Sequence, residues 1–491
     1  MNMKKLFTIV ILLSSTLIVY GQGTTGLSEI NKENLIKNVR ILTSADFDGR
    51  LPGSEGYNKA AQFVADKFKE LGLKPAFGEN YFQFFNIEYN KIESPAIFKS
   101  IVAQDTINYE IGKDFVLRGF TGSNSFNLPV VFCGYGISRP DAFYDDYAGI
   151  NVKNKIVMVF KQNPSWKNND KDWGTNYPRE KSLTAKKFGA KGILFVSLPN
   201  EKNPQGLIGS VLHGDGDQPD DFPQLQISFD AANELLKLTG FTISDCQTKI
   251  DEKKKPISMN LATRAIVEVN ARYEKYASTM NVAAILEGKD PELKKEFIVV
   301  GAHLDHVGSQ AGLLFPGAND NASGSAAILE IAKAFVKGGI EPKRSVLFVL
   351  FAGEEQGLNG SKYFVNNWKS NYNDIAAMIN IDCVGYGDSI QIGNGKSAPF
   401  LWNVAKQIDE TSFNSVVERT WSGGGADATP FHEKGIPSLY FVTTNSYDHL
   451  HLPTDQVSTL NPGLYEKAVK LAHLTVLEIA NGNYVRETVI K

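Results

Sequence analysis

From residue 297 onward, buried-looking apolar runs alternate with helical stretches, and this alternation constrains the fold more than any other feature. EFIVVGA is followed by SAAILEIAKAF. SVLFVLFA is followed by GSKYFVNNW. IAAMINID is followed by APFLWNVAKQI, and IPSLYFV by LYEKAVKLAHLTVLEIAN. Strands that are apolar on both faces and separated by helices predict a mixed α/β fold: a central, mostly parallel sheet covered by helices on both sides. In such sheets, sites form beyond the carboxyl ends of the strands.

Ligand-type side chains sit at those ends. His303 follows the first run, Glu354 and Glu355 the second, Asp382 the third, and His451 lies in the loop after the fourth. Asp320 stands in GANDNASG, just ahead of a helix, where it can cap the helix or bridge two cations. Two divalent metals sharing one carboxylate use all of His303, Asp320, Glu355, Asp382 and His451. Asp305 lies two residues from His303 and so on the same side of an extended stretch, where its carboxylate can fix the imidazole tautomer. Adjacent carboxylates at 354 and 355 repel unless cations compensate, so one is free to act as a base while the other binds metal. Spacing alone does not say which. Of the 7 histidines, His449 reads as rim or core, and His213, His306, His432 and His473 read as structural. Nitrogen and oxygen donors suit zinc, with cobalt or manganese as substitutes.

The N-terminal part reads differently. MNMKK precedes an apolar run, LFTIVILLSSTLIVY, of about fifteen residues, and a small residue, Gly21, stands before Gln22. This predicts a cleaved export signal over 1–21 and a secreted or periplasmic protein with no stable membrane anchor afterwards. Residues 27–75 read as helical, and 82–110 as short alternating strands. Residues 112–262, with PVVFCGY, KIVMVFK, GILFVSL and LQISF between polar loops, read as an inserted, mostly-β module with one helix, REKSLTAKKFGA. The main domain then comprises 27–111 and 263–485. A net charge of -3 and no long basic run exclude a nucleic-acid partner. Three scattered cysteines give no disulfide framework, and a Cys133–Cys246 pairing stays open. Oligomeric state is not fixed by the sequence.

At these residues the chain resembles the M28 family of zinc peptidases, whose sheet is of the zinc-peptidase, phosphorylase-hydrolase-like kind. The opening GRLPGSEGYNKAAQFVADKFKELGL is similar to the family's first helix. VVFCGYGI, DDYAGINVKNKIVMV and AKKFGAKGILFV are similar to a protease-associated (PA) domain. The resemblance implies two zinc ions, one on His303 and Asp382 and one on Glu355 and His451, with Asp320 bridging. It also implies Glu354 as general base, Asp305 orienting His303, a cis peptide after Asp320, and Asp427 in the substrate pocket. Ala426 stands where relatives tend to carry Ser. The activity implied is aminopeptidase action on peptide substrates, with the PA insert overhanging the site. A glutamate-carboxypeptidase-like enzyme acting on N-blocked acidic dipeptides is the alternative. A glutaminyl-cyclase-like transferase and a non-catalytic binding protein are further ones.

Overall fold

Three runs, Phe297–His303, Ser345–Phe351 and Ile375–Ile381, are buried almost end to end, because each is an interior strand of a sheet covered on both faces. They belong to a computed structural model that describes residues 25–490, apart from 169–170, 175–176 and 215. The expected signal over 1–21 lies outside the described residues. Across the C-terminal half the strand order is Ile390–Gly393, Ser438–Thr443, Ile375–Ile381, Phe297–His303, Ser345–Phe351 and Ser258–Leu286. The four central strands are mutually parallel, while the first and last of this series run antiparallel to their neighbours.

Helices Lys32–Leu42, Glu55–Glu70, Gly324–Lys337, Pro399–Ser412 and Pro462–Ala480 pack one face of the sheet. Asn359–Asn366 and Ala428–Glu433 pack the other, through Phe364 and Phe431. The mixed, mostly parallel sheet flanked by helices is therefore the observed architecture. No helix among the described residues is long and apolar enough to cross a membrane.

The region predicted as short strands over 82–110 is different. Phe82–Val102 is one 21-residue strand, and it pairs antiparallel with the 29-residue strand Ser258–Leu286. Two register shifts interrupt this ribbon, one between Glu268 and Asn270 and one between Glu274 and Ala277. The first faces Ser94 and Pro95, which break the apolar alternation and so imitate a strand end in the sequence. In the fold the irregularity absorbs them and the strand continues.

The inserted module has its own parallel strands, Asn124–Cys133, Ile156–Phe160, Gly192–Val196 and Gln224–Ile227, with Phe115–Leu117 antiparallel at the edge. Asn124–Cys133 pairs with Ser258–Val269, so the module's sheet and the main sheet are one 14-stranded sheet. The boundary read at 262/263 falls inside the long strand. Besides the expected helix, here Pro178–Lys187, the module contains Phe229–Leu236 and Ile243–Lys253. These two correct the expectation of a single helix, and both start at a cap: Ser228 accepts from the Ala231 N–H, and Thr242 with Asp245 forms a capping box. Cys133, Cys246 and Cys383 are all buried free thiols.

Candidate metal centre

Each strand-end side chain arrives where its strand leaves the sheet. His303 is the last residue of its strand, Glu354–Glu355 follow Phe351, and Asp382 follows Ile381. His451 sits in the loop after Thr443 with φ 54, a left-handed backbone conformation. Asp320 enters from the segment before helix Gly324–Lys337, and its peptide to Asn321 is cis, as the resemblance implies. Gly317 allows this segment to pass close to the cluster. Its φ is 59, and a Cβ there would lie 2.5 Å from the His306 ring and 2.3 Å from the Asp320 carbonyl.

The side chains form two groups that share Asp320. In the first, His303 Nε2 is 3.3 Å from Asp320 Oδ1 and 3.4 Å from Asp382 Oδ1. In the second, His451 Nε2 is 2.8 Å from Glu355 Oε2 and 3.3 Å from Asp320 Oδ2. Asp320 thus turns one oxygen to each group. Within each group the candidate donor atoms lie within 4.8 Å of one another. Glu355, not Glu354, carries its carboxylate into this cluster, which spacing alone left open.

His306, read from the sequence as structural, also belongs here. Its Nδ1 is 2.9 Å from Glu355 Oε1 and 3.6 Å from Asp320 Oδ2. It lies three residues past His303 on an irregular turn, so neither strand nor helix periodicity relates the two. The doubled His in GAHLDH is the one signal that could have raised it. His449 lies outside the cluster and bonds Thr454 Oγ1 at 2.9 Å.

The supporting contacts depart from simple pairing. His303 Nδ1 donates to the Asp305 backbone carbonyl at 3.1 Å, while the Asp305 carboxylate is 3.8 Å away. That carboxylate instead accepts the N–H groups of Glu354 and Glu355, at 3.2 and 3.3 Å. Asp455, the acid of HLPTD, accepts the N–H groups of Asn319 and Asp320 and so holds the bridging residue. Tyr440 donates to Asp382 Oδ2 at 3.0 Å. Arg50, fully buried, donates to four backbone carbonyls: Leu42, Leu304, Pro316 and Gly317. Asp427 is fully buried at the start of helix Ala428–Glu433, within electrostatic reach of His303 and Asp382.

Six acidic groups crowd this volume: Asp305, Asp320, Glu354, Glu355, Asp382 and Asp427. Burial, joined by neighbouring acids, pushes Glu354 well above the usual carboxylate range, Asp305 to about 7 and Asp427 to about 6. Burial also acts to raise Glu355, yet His451 and His306 hold it at about 2. Asp320 is held low against burial by His303 and His451. Both imidazoles are in turn driven far above their ordinary range despite being desolvated. Protons on imidazole here balance charge that a divalent cation balances better. Asp382 Oδ1 and His306 Nε2 are buried with no hydrogen-bond partner. Orphaned donor atoms, excess negative charge and a nitrogen–oxygen donor set all fit divalent metal, zinc in particular.

Residues 281–476 match the model of peptidase family M28, and residues 126–235 match that of the PA domain. Among curated proteins, a probable leucine aminopeptidase of Arthroderma benhamiae is 30% identical over 209 residues, spanning 41% of this chain and 57% of that protein. The chain thus spans little more than half the length of this relative. Aminopeptidase YwaD of Bacillus subtilis is 22% identical, over 100% of this chain and 97% of that protein. Among solved structures, an aminopeptidase from Aneurinibacillus sp. strain AM-1 superposes with a TM-score of 0.64 at 20% identity. That match covers 96% of this chain and 98% of the other, and it supports the fold.

Proposed function

Because the chain belongs to peptidase family M28 and carries a PA domain ahead of its catalytic half, we propose that this metallo-exopeptidase is an exported dinuclear-zinc aminopeptidase. His303, Asp320 and Asp382 would hold one ion, and Asp320, Glu355 and His451 the other. Two divalent cations there supply Lewis acidity toward a peptide carbonyl and acidify a water. Everything else falls to the chain.

Glu354 is the base. Its carboxyl stands beside the cluster without joining it, and burial keeps its proton affinity high. It takes the proton from the attacking water and hands it to the leaving amine. Asp305 fixes the backbone of Glu354 and Glu355 at once, so base and ligand keep a constant separation. Asp455 does the same for Asp320. The observation that carries this reading is the sharing of Asp320 between two donor groups with a free glutamate adjacent. The names of the relatives support removal of N-terminal residues, and the signal-like segment 1–21 supports export.

The test compares a leucyl peptide bearing a free amine with its N-acetylated twin, using zinc-loaded protein. Cleavage of the free-amine peptide alone, abolished by a chelator and restored by zinc, is the expected outcome. Cleavage of the acetylated twin would replace this reading with a carboxypeptidase.

His306→Ala gives a further expected result. Removing the partner of Glu355 Oε1 lowers the affinity of one of the two zinc sites by about 10–100-fold, the usual consequence of losing a group that orients a ligand. Zinc titration calorimetry measures it, and two unchanged binding events would exclude the role.

A further inference from the structure

A loop of the PA domain reaches into the second half of the metal centre. The Gly209 N–H donates to the His451 carbonyl at 2.8 Å. Four residues later, His213 Nδ1 lies 3.3 Å from the Glu355 carbonyl, and since that oxygen can only accept, Nδ1 carries the proton. His451 and Glu355 belong, with Asp320 and His306, to the second donor group. Among the described residues, no hydrogen bond runs from the PA domain to His303 or Asp382.

The loop is held from behind. Arg118, buried in the inserted module just ahead of the PA-matching residues, donates to the Ile208 carbonyl at 3.2 Å. The peptide bond between Ile208 and Gly209 is therefore gripped by Arg118 on its oxygen and by His451 on its nitrogen. The Gly119 N–H donates to Ser210 Oγ at 2.8 Å, and Gln310 of the catalytic half donates to the Ser210 carbonyl at 3.0 Å. Val116 and Val211 of the inserted module pack with Val307 and Phe315 in one apolar cluster. Gly209 has no room for a side chain: a Cβ would lie 2.7 Å from Val307 and 2.8 Å from the Phe315 ring.

These contacts bear on residues that need them. His451 keeps a left-handed backbone that a non-glycine residue adopts only when its surroundings impose it. Glu355 sits on a turn outside regular structure, where its carbonyl has no strand partner.

We infer that loop 208–213 of the PA domain is a positioning element of the second zinc half-site. Gly209 and His213 fix the backbones of His451 and Glu355, so the PA domain sets the affinity of one metal and not of the other. This rests on the dinuclear reading above.

The experiment is zinc titration calorimetry on the metal-free full chain. Two binding events are expected for the unaltered protein. His213→Ala is expected to weaken one of them by about 10–100-fold and leave the other unchanged, by the same outer-contact logic that governs metal ligands elsewhere. His213→Asn, whose side-chain amide puts a donor where Nδ1 stands, is expected to restore it. Gly209→Ala, which forces the loop off Val307 and Phe315, is expected to repeat the selective loss. Equal weakening of both events, or no change in either, overturns the inference. Uptake of a single zinc by the unaltered chain overturns the dinuclear reading first, and this inference with it.

Discussion

Glu354→Gln is expected to lower kcat on a free-amine leucyl peptide by about 10²–10⁴-fold while zinc content stays at the level of the unaltered protein. Gln keeps the volume and the planar end of Glu, so the packing around residue 354 persists. It cannot take a proton from water. Asp305 holds the 354 and 355 backbone through N–H groups that the substitution leaves in place. Glu355→Gln makes the contrast. Its carboxylate contacts both His306 and His451, so its loss is expected to reduce zinc content as well as turnover. Metal analysis and steady-state kinetics on the two variants separate base from ligand. Near-normal kcat in fully zinc-loaded Glu354→Gln protein would remove Glu354 from the mechanism.

The second large effect falls on a residue that bonds none of the candidate metal-ligand side chains. Arg50→Leu is expected to destabilise the metal-free protein by about 3–5 kcal/mol, because four buried carbonyls lose their donor together. Those carbonyls belong to Leu42, Leu304, Pro316 and Gly317. Leu304 lies next to His303, and Gly317 three residues before Asp320, so Arg50 ties the two segments that meet at the first donor group. Its charge also faces Asp320 and Asp455, and burial with these acids nearby leaves its pKa at about 10, so it stays cationic at neutral pH. Leu fills the space and offers nothing to the carbonyls. Arg50→Lys recovers part of the loss, since one ammonium cannot span four acceptors set around a planar fork. A fall in the urea midpoint at unchanged slope is the readout. An unchanged midpoint for Arg50→Leu would mean that the carbonyls find other partners.

The sequence makes the sheet and its strand-end acids legible for one physical reason. A fully apolar strand that stops at His303, Asp382 or the Glu354–Glu355 pair leaves a polar group at the sheet rim, and a run of apolar residues reports that position directly. What stays hidden are interactions whose acceptor is backbone. Arg50 bonds only carbonyls, and the PA loop meets His451 and Glu355 at their carbonyls, so no residue type marks the partner. His306 is hidden for a related reason: its partner Glu355 is 49 residues away and the turn between His303 and His306 follows no period. The ribbon Phe82–Val102 with Ser258–Leu286 read as several strands because Pro95 and the polar residues around it imitate strand ends. The helices Phe229–Leu236 and Ile243–Lys253 were missed as well: each is short, and the apolar LQISF run ahead of the first pulled the reading toward strand, although the Ser228 cap and the Thr242–Asp245 capping box mark both starts.

Strand Ser258–Leu286 pairs with Asn124–Cys133 at one end and with Ser345–Phe351 at the other, which makes the PA domain a poor candidate for excision or transplantation. A cut near 262 severs a ladder and leaves two fragments with raw, unpaired edges of the kind that seek other chains. Strand Ser258–Leu286 runs through that point, so the two halves share one sheet and its twist. Grafting this PA domain onto another enzyme would require carrying the ribbon Phe82–Val102 with Ser258–Leu286 along with it.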